Sequence, residues 1–227
     1  MLTYLPKAVR KGADRPMPGL RDAGLPQRLA FRAATEAEVA RIKGNFERMQ
    51  AKQHRQGAPE LAARYEAAAR RSFDRGMRFG SADNQLIGAL GLLEYETGHL
   101  DKARGYLERA YSTGDLGTRG LLALADLRWR EMTTGLTAEG KLPAEALERV
   151  LDPLFAARER KPAVIETYQM LADVWERSGF PPTRNHLAVL VEGLEFFPTD
   201  ETLRARTVRL HELHGYRDIL AGLAEIR

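Results

Sequence analysis

The sequence contains no cysteine among its 227 residues. A disulfide framework, a thiolate zinc site, an iron–sulfur cluster and a cysteine nucleophile are therefore excluded. The longest apolar run, residues 86–93, is far shorter than the roughly 18 residues of a membrane span, and the N-terminal segment lacks the apolar region of a signal peptide. We therefore expect a soluble protein without a membrane span. The cytoplasm is the favoured location, or the periplasm if the chain is a fragment.

The motifs of common catalytic centres are also missing. No serine lies in a Gly-x-Ser-x-Gly sequence, and no glycine-rich phosphate loop is present. His211 and His214 are three positions apart, whereas the zinc motif His-Glu-x-x-His needs a spacing of four. We therefore predict a protein that is not an enzyme and that carries no cofactor and no metal.

Positive charge is concentrated in the first part of the chain. Residues 1–80 carry 17 Lys and Arg against 8 Asp and Glu, whereas residues 81–227 carry 18 against 23. Such asymmetry can mark a segment that binds nucleic acid or an anionic surface. However, these cations are diluted with alanine, glycine and proline and form no block of five. Nucleic-acid binding is therefore kept only as an alternative function.

The N-terminal region divides into an arm and a pair of helices. Residues 1–33 are rich in proline, glycine and basic residues, which predicts an extended or disordered arm or linker. Thr35 and Glu38 have the spacing of a capping box and predict a helix start. Pro59 suits the start of a second helix, so residues 34–83 are predicted to form a helical pair. The first helix has an apolar stripe formed by Val39, Ile42, Phe46 and Met49.

Residues 84–227 show a recurring helix–turn–helix pattern with a period of about 34 residues. A longer connection is expected between Met132 and Pro143, and Asp152-Pro153 is expected to interrupt the following helix because proline lacks an amide hydrogen. No alternating β-branched run competes with the helical pattern. The predicted fold class is all-α, with a helical repeat array over residues 84–227.

One stretch of this array is similar to a known family. The pattern Ile87-x2-Leu90-Gly91 … Gly98 … Ala103-x3-Leu107-x2-Ala110 resembles the tetratricopeptide repeat, closely over residues 84–115 and loosely over residues 69–227. The resemblance implies an α–α superhelix, that is, a right-handed solenoid of helix pairs with a concave groove. In this family the first helix of each pair lines the groove, which binds a peptide or helix of a partner protein.

The resemblance also implies which residues line the groove. The matching positions are Gln85, Gly88, Leu92, Tyr95 and Glu96 in the first repeat; Arg119, Leu122, Asp126, Trp129 and Arg130 in the second; and Glu166, Gln169, Asp173, Glu176 and Arg177 in the third. The positions that bind a terminal carboxylate in some family members hold Gly88, Leu92, Ala123, Glu166 and Met170 here, so no such clamp is expected. Tyr95 and Trp129 have core packing as an alternative role.

The expected function is a non-enzymatic module for protein–protein interaction. Two further alternatives stay open. The chain could be the C-terminal helical portion of a larger bacterial protein, with the arm as its linker. It could also self-associate, because the ends of a solenoid expose apolar edges unless they are capped.

Overall fold

A computed structural model describes residues 25–79, 83–137, 140–216 and 218, and the regular structure of these residues is helical. This confirms the all-α prediction. Residues 1–24 of the predicted arm lie outside the described residues. In chain order the helices are α1 (Leu25–His54), α2 (Pro59–Phe79), α3 (Asn84–Glu96), α4 (Leu100–Tyr111), α5 (Thr118–Thr133), α6 (Ala144–Arg158), α7 (Ile165–Glu176), α8 (Arg184–Phe196) and α9 (Glu201–Leu213).

The first helix begins earlier than predicted. α1 starts at Leu25 rather than at Thr35, so residues 25–33 of the predicted arm are helical. The Thr35 hydroxyl donates to the carbonyl oxygen of Phe31 at 2.9 Å, inside the helix. This pairing with the preceding turn is an alternative to capping that threonine makes readily. The Thr-x-x-Glu spacing therefore does not mark a helix start here.

The predicted apolar stripe of α1 is largely exposed. Ile42, Phe46 and Met49 all lie at the surface, with Met49 62% exposed. The face of α1 that packs on α2 consists of small residues instead, namely Ala37, Ala40, Gly44 and Ala51. Small residues are needed because the Phe73 ring lies against Gly44, where a Cβ atom would come within 2.4 Å of it. Close approach, rather than hydrophobicity, selects the buried face.

Close approach at a glycine recurs in two later helix pairs. A Cβ on Gly91 of α3 would lie 2.9 Å from Leu107 Cγ in α4. A Cβ on Gly193 of α8 would lie 2.6 Å from the Tyr168 ring in α7. Gly88 of α3 lies near Ala110 of α4, so α3 and α4 run antiparallel. Each helix contacts the next, and α1 also contacts α3, α3 contacts α5, and α7 contacts α9.

Pro153 does not interrupt its helix, contrary to the prediction from the sequence. α6 runs without a break through this residue, which is buried. A proline at this position leaves the carbonyl oxygen of Arg149, four residues earlier, without its usual amide donor. The guanidinium of Arg128 in α5 supplies the missing hydrogen bond, donating to the Arg149 carbonyl at 2.7 Å. Arg128 also makes a bidentate pair with Glu108 of α4, at 2.9 and 2.6 Å.

The long connection between α5 and α6 packs against the end of α7. The amide of Leu142 donates to the Arg177 carbonyl at 2.9 Å, and the amide of Gly179 donates to the Leu142 carbonyl at 3.0 Å. These bonds form an isolated parallel bridge between Leu142 and Ser178. The Leu142 side chain is fully buried. The connection therefore occupies the space between the C-terminal ends of α5 and α7.

Replacing Gly91 with leucine should destabilise the protein, because the new side chain would overlap Leu107. Overpacking of this kind costs about 1–3 kcal/mol of unfolding free energy, which denaturant titration followed by circular dichroism would measure. Gly105→Leu in α4 is the matched control, because a Cβ there meets no atom within 4 Å. Equal stability of the two variants would contradict the close packing of α3 on α4.

Arg128 and Pro153 should be energetically coupled. Arg128→Met leaves the partly buried Arg149 carbonyl without a donor, which costs about 1–3 kcal/mol. In a Pro153→Ala background the alanine amide can donate to that carbonyl, so the same substitution should cost less. A double-mutant cycle measured by denaturant titration isolates this difference, because the loss of the Glu108 pair is common to both backgrounds. Strict additivity would show that the two residues act independently.

Candidate functional site

The odd-numbered helices are joined by a series of polar contacts, which we call the polar ladder. One contact spans each step between consecutive odd-numbered helices. These contacts are Arg48–Glu96 between α1 and α3 at 2.6 Å, Tyr95–Asp126 between α3 and α5 at 2.7 Å, Arg119–Glu166 between α5 and α7 at 2.7 Å, and Arg206–Asp173 between α7 and α9. The odd-numbered helices are therefore linked in series by these side-chain contacts, and we call this series the row.

Most of the predicted groove residues belong to this ladder or border it. Arg130 donates to Asp126 within α5 at 2.6 Å, Gln169 donates to Asp200 at 3.1 Å, and Glu176 pairs with Arg209 at 3.4 Å. Arg177 has a different role, since its guanidinium donates to the Thr137 carbonyl in the α5–α6 connection at 2.9 Å. Leu122 is buried, and Trp129 is partly buried against the core.

Electrostatics keep the tyrosine of the ladder protonated and one of its glutamates ionised. Partial burial raises the pKa of Tyr95 to about 12, with further contributions from the hydrogen bond to Asp126 and the negative charge of that residue. Tyr95 is therefore a hydrogen-bond donor at ordinary pH. Burial has the largest effect on Glu166 and opposes its ionisation. The hydrogen bond and charge of Arg119, a backbone hydrogen bond and the charge of Lys52 together outweigh burial, so the pKa of Glu166 lies below its usual value.

Four of the predicted residues line a common cleft of about 630 Å³ at the N-terminal ends of α3 and α5. Gln85 and Leu92 reach it from α3, together with Gly88, and Arg119 reaches it from α5. Gln85 and Arg119 are exposed, and Leu92 is half-buried. Groove positions predicted on two separate helices therefore line the same cleft.

The floor of the cleft is formed by a leucine held between two glycines. Leu116, in the connection before α5, is only 2% exposed. A Cβ on Gly88 would lie 3.0 Å from this side chain, and a Cβ on Gly120 would lie 2.5 Å from it. Because neither glycine has a side chain, Leu116 can fit between α3 and α5. This fit closes the bottom of the cleft with apolar surface.

Sequence reasoning missed three cations that line the same cleft. Arg41 projects from α1, and Arg160 and Lys161 lie in the connection between α6 and α7. Arg160 donates to the Gly114 carbonyl at 3.1 Å, and the Lys161 ammonium lies 4.6 Å from the centre of the Phe196 ring. The adjacent Arg160-Lys161 pair was visible in the sequence, but a connection has no helical period to indicate the face on which its side chains lie.

The histidines do not form a metal site in the part of the chain that the structure describes. His211 is fully buried, and its Nδ1 lies 2.8 Å from the Thr207 carbonyl oxygen. Among the described residues, no group of three His, Asp or Glu side chains could hold a metal ion. No described helix has both the length and the apolar character required to cross a bilayer.

Comparison with known proteins found no matching family model, no matching curated protein and no matching solved structure.

Removing the Tyr95 hydroxyl should weaken the step between α3 and α5. Tyr95→Phe loses one hydrogen bond to a partly buried carboxylate, and we expect a loss of about 0.5–1.5 kcal/mol in unfolding free energy, measured by denaturant titration. Tyr106→Phe is the matched control, because no hydrogen bond to its hydroxyl is found among the described residues. Equal effects in the two variants would show that the Tyr95–Asp126 bond does not stabilise the row.

Proposed function

We propose that this chain is a non-enzymatic protein-interaction module whose row of odd-numbered helices binds an extended or helical segment of a partner protein. The proposal includes a right-handed solenoid of tetratricopeptide type, in which these helices line the concave face. The site of binding is centred on the cleft at Gln85, Leu92 and Arg119.

The observation that carries the proposal is the convergence of these three residues. The repeat pattern predicts each of them as a groove residue from helical spacing alone. Their side chains, with Gly88, line one concavity that has an apolar floor and polar walls. Such a combination suits a binding site, because an apolar contact contributes affinity while polar groups fix orientation.

The succession of close-packed helix pairs also supports the solenoid. The small residue Gly91 lies where α3 meets α4, as the tetratricopeptide-like pattern requires. In a later pair the close approach occurs at a glycine of the second helix instead, where Gly193 lies against Tyr168. Nucleic-acid binding is less well supported, because none of the residues that line the cleft is aromatic and bases would have no ring to stack on.

The proposal can be tested by peptide selection against the full chain. A random dodecapeptide library displayed on phage is selected on the wild-type protein, and the affinities of the recovered peptides are measured by fluorescence anisotropy. Arg119→Glu should weaken binding about ten-fold or more, because it reverses a charge in the cleft wall. A photo-crosslinking residue at Gln85 should link the bound peptide.

The matched control is Arg75→Glu. Arg75 is also an exposed arginine paired with a glutamate, at 3.1 Å from Glu36, but it lies on α2 and outside the cleft. Binding by this variant should equal that of the wild type, and circular dichroism should show both variants folded. Failure to select any peptide, or absence of crosslinking at Gln85, would overturn the proposed function.

A further inference from the structure

The cleft has a strong excess of positive charge. Four cations line it, Arg41, Arg119, Arg160 and Lys161, against the single carboxylate of Asp115. The cations come from α1, α5 and the α6–α7 connection, which are far apart in sequence. Like charges brought together in a concave site repel one another and focus a positive potential there. An anionic ligand would relieve this repulsion.

The imbalance is local, because several arginines elsewhere in the row are paired with carboxylates. Arg48, Arg130 and Arg206 all contact a glutamate or an aspartate directly. By contrast, Arg160 donates to a backbone carbonyl. The Lys161 ammonium lies over an aromatic ring, and its charge also lowers the pKa of Glu192.

The other two cations of the cleft have partners that a ligand could replace. Arg41 lies 4.0 Å from Glu38, at the outer limit of an ion pair. Arg119 pairs with Glu166 where both side chains are largely exposed, at 58% and 45%. Exposed ion pairs contribute little because solvent screens them. A carboxylate from outside can therefore bind these cations without breaking a buried contact.

We infer that the partner segment bound in this cleft is acidic, with at least two carboxylate side chains flanking an aliphatic one. This inference rests on the proposed function and specifies its ligand. The apolar floor at Leu116 and Leu92 accepts the aliphatic side chain, and the surrounding cations bind the carboxylates. Arginine suits this role because its planar guanidinium can donate two parallel hydrogen bonds to one carboxylate.

An acidic protein segment fits the cleft better than a nucleic acid does. Phosphate groups would satisfy the cations, but nucleic-acid bases also need a stacking surface, which the lining of this cleft lacks. The apolar floor, on the other hand, contributes to affinity only if the ligand carries an aliphatic group next to its charged groups.

The inference is tested on the peptides recovered in the selection described above. Each peptide is labelled with fluorescein and compared with a version in which every Asp and Glu is replaced by Asn or Gln. We expect the acidic version to bind about ten-fold more tightly or better. Its affinity should also fall steeply as the salt concentration rises, because added ions screen the charges. Labelled oligothymidylate is the nucleic-acid probe and should bind more weakly than the acidic peptide.

Variants that remove positive charge from the cleft test whether the acidic peptide binds there. The double variant Arg160→Gln, Lys161→Gln should weaken binding of the acidic peptide about ten-fold and leave the affinity of its amide version unchanged. The double variant Arg75→Gln, Lys102→Gln is the control. It removes one arginine and one lysine from exposed positions on α2 and α4, outside the cleft, and it should bind both peptides as the wild type does.

The possible outcomes separate the inference from the function on which it rests. If peptides crosslink at Gln85 but bind equally well with and without their carboxylates, the acidic ligand is wrong and the protein-interaction function stands. Tighter binding of oligothymidylate than of any peptide would overturn the inference in favour of nucleic acid. If no peptide is selected, the proposed function fails and the inference falls with it.

Discussion

Three helix pairs of this chain depend on the close approach of two helices at a position that has no side chain. Gly44, Gly91 and Gly193 each face a bulky residue of the partner helix at a distance that a Cβ atom would not permit. Dispersion attraction between atoms falls off rapidly with their separation, so closely packed helices gain more of it. The close approach also leaves Phe73, Leu107 and Tyr168 fully buried or nearly so. The odd-numbered helices are then joined in series by polar contacts, which range from largely buried at Arg48–Glu96 to exposed at Arg119–Glu166.

The close approach also explains which parts of the fold could be predicted from the sequence. The size of a residue is local information, so the small and large positions around Gly91 and Leu107 predicted a helix pair. Whether another helix packs on a given face is not local information. The apolar stripe of α1 that contains Phe46 has the same helical period as a buried stripe, yet it is exposed and small residues form the packing face of α1. Pro153 shows the same limit, because the hydrogen bond that lets its helix continue comes from Arg128 in another helix.

The candidate site was predictable to a similar extent. Gln85 and Arg119, which helical spacing assigns to equivalent positions, line one cleft. Spacing gives the face of a helix on which a residue lies, but not the distance to the next helix, and this distance decides whether Asp126 meets solvent or Tyr95. Arg160 and Lys161 escaped prediction because they lie in a connection, where no period relates one residue to another.

The pairing of charges along the row has a consequence for where a ligand can bind. A ladder of arginines and carboxylates is nearly neutral, and a charged ligand gains little from it unless an existing contact is broken. The cleft at α3 and α5 differs because the α6–α7 connection adds two cations without adding carboxylates that pair with them. The hydrogen bond from Arg160 to the Gly114 carbonyl holds this connection against the cleft wall, so the positive charge is positioned before any ligand arrives. A site arranged in advance loses less entropy on binding, and this favours the cleft over the rest of the row as the place where recognition begins.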